Sequence, residues 1–206
     1  MIDLLEAEIT NLNLSLRGLI VNSDSSITKM EAIKNAIIYT KDHGGKVIFT
    51  GIGKNVYAAQ KLAASYSSIG IPSFFMDAVH AVHGDLGVLS SNDLLICMSK
   101  SGNTAELINT LKYIKSKPSK FPFTVVGIDC HLSEERNGFD EYCDMTLHVN
   151  TYKEIDKLNL VPTVSLIVLQ IIGDVIGVKA AEEMGFNAVV FGANHPGGKI
   201  GEQLNK

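Results

Sequence analysis

The chain has no tryptophan, only five prolines and three cysteines in 206 residues, and no surplus of positive charge. Each shortage removes a class of function. Cys97, Cys130 and Cys143 show no CxxC or other short ligand spacing, which excludes a disulfide scaffold or zinc ribbon and makes a reducing cytoplasm the expected compartment. The 18 basic residues are outnumbered by 22 acidic ones, leaving a net charge of −4 without a basic stripe. No nucleic-acid partner is therefore expected. Long apolar runs are also missing. The start, Met-Ile-Asp-Leu-Leu-Glu-Ala-Glu, has neither the basic residues nor the unbroken apolar core of a signal peptide. The stretch Leu166–Ile172 is interrupted by Gln170 and followed by Gly173-Asp174, so it reads as too short and broken to span a bilayer, and no membrane partner is expected.

What is present fits a compact α/β protein: 46% hydrophobic and 19% charged residues, with eighteen glycines. The most informative segment runs from Asp93 to Glu106. An apolar strand-like run, Leu94–Met98, stops at Ser99-Lys-Ser101-Gly102-Asn103-Thr104, and a helical pattern follows. A strand handing over to a helix in this way aims backbone N–H groups and the positive end of the helix dipole at one point. Ser99, Ser101 and Thr104 add hydroxyls, and Gly102 lets the backbone approach a ligand closely. The spacing is neither a Walker loop nor the three-glycine dinucleotide fingerprint, so no dinucleotide cofactor is implied. A phosphorylated small molecule fits.

Along the chain, Ile2, Leu5, Ile9, Leu12, Leu16 and Leu19 recur at helical spacing. A polar break is expected at Asn22–Ser26, then a helix over Ile27–Thr40. Strands are predicted at Lys46–Thr50, Ser73–Met76, Asp93–Met98, Phe123–Asp129 and Met145–Val149. Helices are predicted at Val56–Ser67, after Asn103, briefly at Ser133–Glu135, and from Pro162, as first helical residue, to Gly185. Asp77 is placed to cap a short helix. Strands separated by helices imply a doubly wound parallel sheet of five strands in one domain spanning 1–206, preceded by a helical extension. In such sheets the ligand lies off the carboxyl ends of the strands, where the Gly51–Gly53 and Ser101–Gly102 turns both fall.

Lys54 follows two glycines at a strand end. A cation at a helix start is unfavourable unless an anion offsets it, so it is a candidate phosphate or sugar ligand. Glu106, in the first turn of the next helix, is either a cap or a site carboxylate. His83-Gly84-Asp85-Leu86-Gly87 is a polar knot between apolar segments. His80 and His83 suggest a metal pair, but no third ligand follows, so no metal is expected. His43, His131 and His148 show no acidic clustering and are read as structural. Lys153-Glu154 belongs to a charged segment, read alone as a solvated loop. His195 precedes Pro196-Gly-Gly198, a stiff mount suited to an acid or base.

Together these segments resemble the sugar isomerase (SIS) domain, a phosphosugar-binding family with a flavodoxin-like sheet, over about Ile33 to Leu204. The combination of Gly51-Ile-Gly-Lys54, His83-Gly-Asp-Leu-Gly87, Ser99–Glu106, Lys153-Glu154…Leu160-Val-Pro-Thr163 and His195-Pro-Gly-Gly-Lys-Ile-Gly201 is similar to its arabinose-5-phosphate isomerase branch. The resemblance implies that Ser99, Ser101, Gly102, Asn103 and Thr104 hold the phosphate. Lys54, His83, Glu106, Glu154 and His195 match catalytic or substrate-contacting positions, and Gly53, Asn55 and Asp85 fall to the sugar. It further implies a homotetramer with shared sites and a role beside capsule or lipopolysaccharide synthesis. Most relatives carry two CBS modules after this domain, whereas this chain ends soon after Gly201. Asn55 and Asn103 stand where relatives often have hydroxyl or acidic residues.

The implied reaction interconverts D-arabinose 5-phosphate and D-ribulose 5-phosphate through an enediolate and needs no redox cofactor. His195 or His83 would shuttle protons, Glu154 or Glu106 would act on carbon, and Lys54 would offset enediolate charge. Two rivals remain: a non-catalytic phosphosugar sensor, and an isomerase of a six- or seven-carbon phosphate.

Overall fold

The computed structural model describes residues 1–21, 23–131 and 135–204. Five parallel strands, β1 (Val47–Gly51), β2 (Ser73–Phe75), β3 (Leu94–Ser99), β4 (Thr124–Asp129) and β5 (Met145–His148), lie in the order β2-β1-β3-β4-β5. The alternation of strand and helix gives the expected doubly wound parallel sheet, and its strand order is the flavodoxin-like one that the family resemblance implies. The central strands are buried along their whole length, which is why they read as near-continuous apolar runs rather than alternating ones.

Two cores cover the two faces. On one, Val47, Phe49, Leu94 and Ile96 meet α3 (Asn55–Ser68), α7 (Val164–Glu183) and the extension formed by α1 (Ile2–Val21) and α2 (Ser23–Asp42). On the other, Ile48, Leu95, Cys97 and Val125 meet α4 (Ala78–Ala81), α5 (Ala105–Lys115) and Phe139 of α6 (Gly138–Tyr142). Asp77 does cap α4, accepting the N–H groups of Val79 and His80.

Several boundaries depart from the sequence reading. The expected break at Asn22–Ser26 does not extend over Ser23–Ser26, which already belong to α2; Ser and Asp suit a first helical turn as well as a loop. Asn22 itself lies outside the described residues, as do Ser133 and Glu134 of the expected helical turn, while the helix in that region is α6. Pro162 is not the first residue of α7: Thr163 is its N-cap and Val164 its first turn. Two short helices, α8 (Ala188–Asn194) and α9 (Gly198–Leu204), follow Gly185, where no further element is expected from the sequence. Asn187 caps α8 by accepting the Val189 and Val190 N–H groups.

The helix α7 also corrects the membrane argument. With 20 residues and a mean hydropathy of 1.9 over its best window, it is long and apolar enough to cross a bilayer. In the fold it is instead the central helix of the first core, and 56% of that window is buried. Its glycines permit this. A Cβ on Gly173 would stand 2.5 Å from Leu62 Cδ1, and one on Gly177 would stand 2.2 Å from Tyr66 Cε2. The Tyr66 hydroxyl, wedged into that close approach, donates to the Gly173 carbonyl at 2.8 Å. Gly177→Leu should therefore lower stability by about 1–3 kcal/mol or more through overpacking, read as a reduced urea midpoint at unchanged m-value.

Candidate functional site

The site is built at the carboxyl edge of the sheet. Gly51 of β1 pairs in register with Met98 of β3, Ser99 with Asp129 of β4, and Asp129 with His148 of β5. Four strand ends therefore stand in one row. From buried Ser99 the chain turns through Gly102, which holds a left-handed backbone at φ 67°. A side chain there is excluded, since a Cβ would stand 2.3 Å from Asn137 Nδ2 and 2.7 Å from Asp129 Oδ2.

The hydroxyls first shape the turn. Ser99 Oγ accepts the Gly102 N–H at 3.1 Å and shares a proton with Thr104 Oγ1 at 3.0 Å, while Ser101 Oγ accepts the Asn103 N–H at 3.2 Å. Ser101 uses only its acceptor capacity, and one proton of the Ser99–Thr104 pair is left over, so both hydroxyl sites can still donate to a ligand. Thr104 stands at the N-cap of α5 in extended backbone, but its side chain caps nothing. The first N–H groups of this 11-residue helix thus stay open at the positive end of its dipole. An anion fits there.

Glu154 crosses the same edge on the segment between β5 and α7. It is buried, and its carboxylate accepts from the Thr163 N–H (2.9 Å), Thr163 hydroxyl (3.0 Å), Ser165 N–H (3.2 Å) and Ser165 hydroxyl. Lys100, within the turn, reaches it at 2.7 Å. Burial alone would push this carboxyl up, but the Lys100 contact, the Ser165 hydroxyl and the backbone N–H groups hold it down to about 2. Glu154 is therefore ionised at neutral pH rather than part of a solvated loop. Sequence reading passed over Lys100; its place between the two serines of the turn was the available signal.

A polar stripe on α1 braces this segment. Asn11 Nδ2 donates to the Lys153 carbonyl at 2.8 Å, and Ser15 Oγ accepts the Tyr152 N–H at 2.7 Å. One turn earlier, Glu8 Oε2 is buried with no hydrogen-bond partner among the described residues. Burial, then the charge of Glu154, raises the Glu8 carboxyl.

Across the row, Gly53 (φ 63°) and Lys54 form the turn into α3, with Asn55 as its first helical residue. Lys54 occupies the N-cap position, exposed and without a carboxylate partner among the described residues. Glu106 is exposed in the first turn of α5, its carboxylate likewise unpaired.

Three expected site residues are not brought here within one chain. His83 and Asp85 are exposed on the connection from α4 to β3; their neighbours Val82, Gly84, Leu86 and Gly87 line a cavity with Tyr113, near the end of α5, and Phe121, ahead of β4. His195 lies at the opposite edge of the sheet. Asn194 Nδ2 donates to the Ser68 carbonyl at the end of α3, beside the start of β2, where Ser67 Oγ donates to Ser73 O. The His195 ring stacks near Phe191 at 4.0 Å, with Nδ1 donating to the Phe191 carbonyl at 2.8 Å.

His148 corrects the reading that it lacks acidic neighbours. Its Nδ1 lies 3.0 Å from Asp129 Oδ1 and its Nε2 lies 2.9 Å from Asp140 Oδ1. No group of three or more His, Cys, Asp or Glu suited to a metal ion occurs among the described residues.

The ion pair gives a test. Glu154→Gln should destabilise the protein at neutral pH. Because the Glu154 pKa falls from an ordinary 4.5 to about 2 on folding, its contribution is complete above 4.5 and is lost as pH drops toward 2. The wild-type advantage over Glu154→Gln, measured by urea denaturation, should shrink across that window. Lys100→Met should cost about 1–3 kcal/mol at neutral pH, less than a fully buried pair because the lysine is 42% exposed.

Comparisons with known proteins converge on one family. A profile described as the SIS domain matches residues 39–173. Arabinose 5-phosphate isomerase KdsD of Pseudomonas aeruginosa is 32% identical over 160 residues, covering 78% of this chain and 47% of the relative. The chain thus spans about half the length of the curated relatives it matches. A solved E. coli CFT073 protein in complex with arabinose 5-phosphate superimposes with a TM-score of 0.82 at 31% identity, covering 95% of this chain and 97% of that one. The sugar isomerase domain of an RpiR transcription factor from Sphaerobacter thermophilus shares the fold at a TM-score of 0.65 and 17% identity, covering 88% and 89%. With the matched profile spanning most of the sequence and its phosphate-type turn in place at the sheet edge, this chain belongs to the SIS domain family.

Proposed function

We propose that the chain is an aldose–ketose isomerase interconverting D-arabinose 5-phosphate and D-ribulose 5-phosphate. The observation that carries this reading is the hydroxyl-lined turn opening α5, with Lys54, Glu106 and the Lys100–Glu154 pair around it. Similarity to arabinose 5-phosphate isomerase KdsD and to a protein solved with arabinose 5-phosphate supports the pentose.

The phosphate ester seats on the open N–H groups and spare hydroxyls, so binding energy far from the reacting carbons fixes their orientation. Once the sugar is open, a base removes the proton from the carbon beside the carbonyl, and the electron pair moves onto the carbonyl oxygen to give an enediolate. A proton passes between the two oxygens and another is returned to the neighbouring carbon, regenerating the base. Hydrogen only changes position within one substrate, so no external oxidant enters the balance.

Glu106 is assigned as the carbon base. The alternative, Glu154, has its oxygens taken up by five donors and a carboxyl held down to about 2, which makes it a weak base. Its role is to hold Lys100 beside the turn. Lys54 offsets enediolate charge. Gly53 and Asn55 flank the sugar.

The imidazoles come from another copy. His195 is carried to the far edge of its own chain, so we assign it as the proton shuttle of a neighbouring subunit's site in a homotetramer, with His83 and Asp85 entering the same way. Apolar surface is available for assembly: Ile2, Leu5 and Ile9 of α1 are exposed, and a groove of about 790 Å³ is lined by Leu16, Ile20, Ile27, Ile171, Val175 and Val178. A second reading, a phosphosugar sensor, is favoured by the same observation, because a lone copy presents the anion seat without the imidazoles of His83 and His195.

Purified protein should convert ribulose 5-phosphate in preference to six- and seven-carbon phosphates in a coupled assay; tight binding without product would favour the sensor. Glu106→Gln and His195→Ala should each lower turnover by roughly 10²–10⁴. Mixing and reassembling these two variants should restore about a quarter of the sites if they are built from two copies, and none if each site is built from one.

A further inference from the structure

The closed ring of contacts around His148 is not used by the chemistry above, yet it ends on the phosphate turn. His148 joins Asp129 to Asp140 through its two ring nitrogens, at 3.0 and 2.9 Å. Asp129, fully buried, spends its other oxygen on Asn137 Nδ2 at 2.8 Å. Asp140 Oδ2 accepts the Asn137 N–H at 3.0 Å, while Asn137 Oδ1 accepts the N–H groups of Phe139 and Asp140. Asn137 is thereby clamped from both ends.

The clamp presses on the turn at three points. Asn137 Nδ2 lies 3.4 Å from the Ser101 carbonyl, and the Gly138 N–H donates to Asn103 Oδ1 at 2.7 Å. Gly102 sits directly against Asn137 and Asp129, with no room for one further carbon. Two carboxylates facing one half-buried imidazole are balanced when the ring is charged and mutually repulsive when it is neutral.

We propose that His148 is a positioning residue for the phosphate turn, its imidazolium tying Asp129 to Asp140 so that Asn137 holds Gly102 and Asn103 in the shape that receives the ester. The inference rests on the phosphosugar reading for its ligand, not for its mechanics. The hydrogen bond to Asp129 raises the His148 pKa above the ordinary 6.5, and burial opposes it only in part. The clamp is therefore complete below 6.5 and loosens as pH rises through the folded value. Other charged or titratable groups face the ring and its two carboxylates: His131, whose ring lies 6.5 Å away, Arg136 beside Asp140, Cys143 on the α6 side, and Lys29 of α2 with Asp144 across a shared cavity. The two ring nitrogens themselves are taken up by Asp129 and Asp140.

The test follows backbone amide and imidazole resonances of the whole protein against pH, with no sugar present, alongside kcat and KM for ribulose 5-phosphate. In wild type, the Gly102 and Asn103 amides should titrate together with His148, and KM should climb through the same pH range while kcat moves less. His148→Gln should raise KM about 3- to 30-fold near neutral pH, keep kcat within about threefold, and flatten the KM–pH profile. Asp140→Asn, which keeps the fold's side-chain volume, should lower the midpoint of both titrations together. His131→Gln should leave them in place. Turn amides that stay still while His148 titrates, or a KM–pH profile unchanged by His148→Gln, would overturn the proposal. If the amides titrate with His148 but no pentose phosphate binds or turns over, the positioning link stands and the substrate reading falls.

Discussion

Position 102 has no room for a side chain. That constraint comes from the other side of the turn: Asp129 and Asn137 are packed so close to Gly102 that the backbone can pass only in the left-handed region. Because the turn is pinned there, the Ser99 and Ser101 hydroxyls fall under the Gly102 and Asn103 N–H groups, Thr104 is drawn back to Ser99, and α5 begins without a side-chain cap. An uncapped helix start is ordinarily a defect of about 1 kcal/mol. Here the same defect leaves donors directed at one point, the arrangement an anion requires.

The electrostatics around that point explain how a chain of net charge −4 can present an anion seat. Apart from Glu106, exposed in the first turn of α5, three carboxylates stand near the turn, and each is answered locally. Glu154 is answered by Lys100 and four hydroxyl or N–H donors; Asp129 and Asp140 are answered by His148 and Asn137. Their charge is spent on shaping the segments behind the turn. The field in front of it comes from α5 and from Lys54, which no carboxylate offsets among the described residues. Local pairing thus decides the sign of the site, and overall charge does not.

The sequence was most legible where the information is local. The strands announce themselves as apolar runs, and the serine-glycine turn after Met98 is one continuous motif, so the five-stranded parallel sheet and the turn at its carboxyl edge could be anticipated. Contacts between distant residues were not legible. His148 meets partners 19 and 8 positions away, and nothing in the spacing singles out Asp129 and Asp140 as the carboxylates that reach it. Glu154 read as a member of a solvated charge run because its donors, Thr163 and Ser165, come from the start of another helix. The helices α8 and α9 were missed for a different reason. They are two short turns punctuated by glycine and proline, too brief to show a period, and α8 is held by an asparagine cap and by Asn194 reaching back to Ser68.

The length of one helix then decides where the chain that follows it lies relative to the phosphate-type turn. The helix α7 leaves the site edge at Ser165, bonded to Glu154, and after 20 residues has travelled about 30 Å, past the full depth of the sheet. Everything after Glu183 therefore starts from the edge opposite the phosphate turn, and α8 is fastened there. A five-residue strand such as β1 is only about 16 Å long, yet the His195 side chain could not recross even that distance without unfastening α8. The seat for the ester and the imidazole that follows α8 are kept apart by the same packing that stabilises the core, in which Tyr66 is locked against Gly173 and Gly177. If both serve one reaction, they must meet across an interface, and catalysis becomes a property of the assembly. The exposed apolar surface of α1, α2 and α7 lies on the sheet face that carries the central helix, so the burial that would drive association and the geometry that would require it arise from one element.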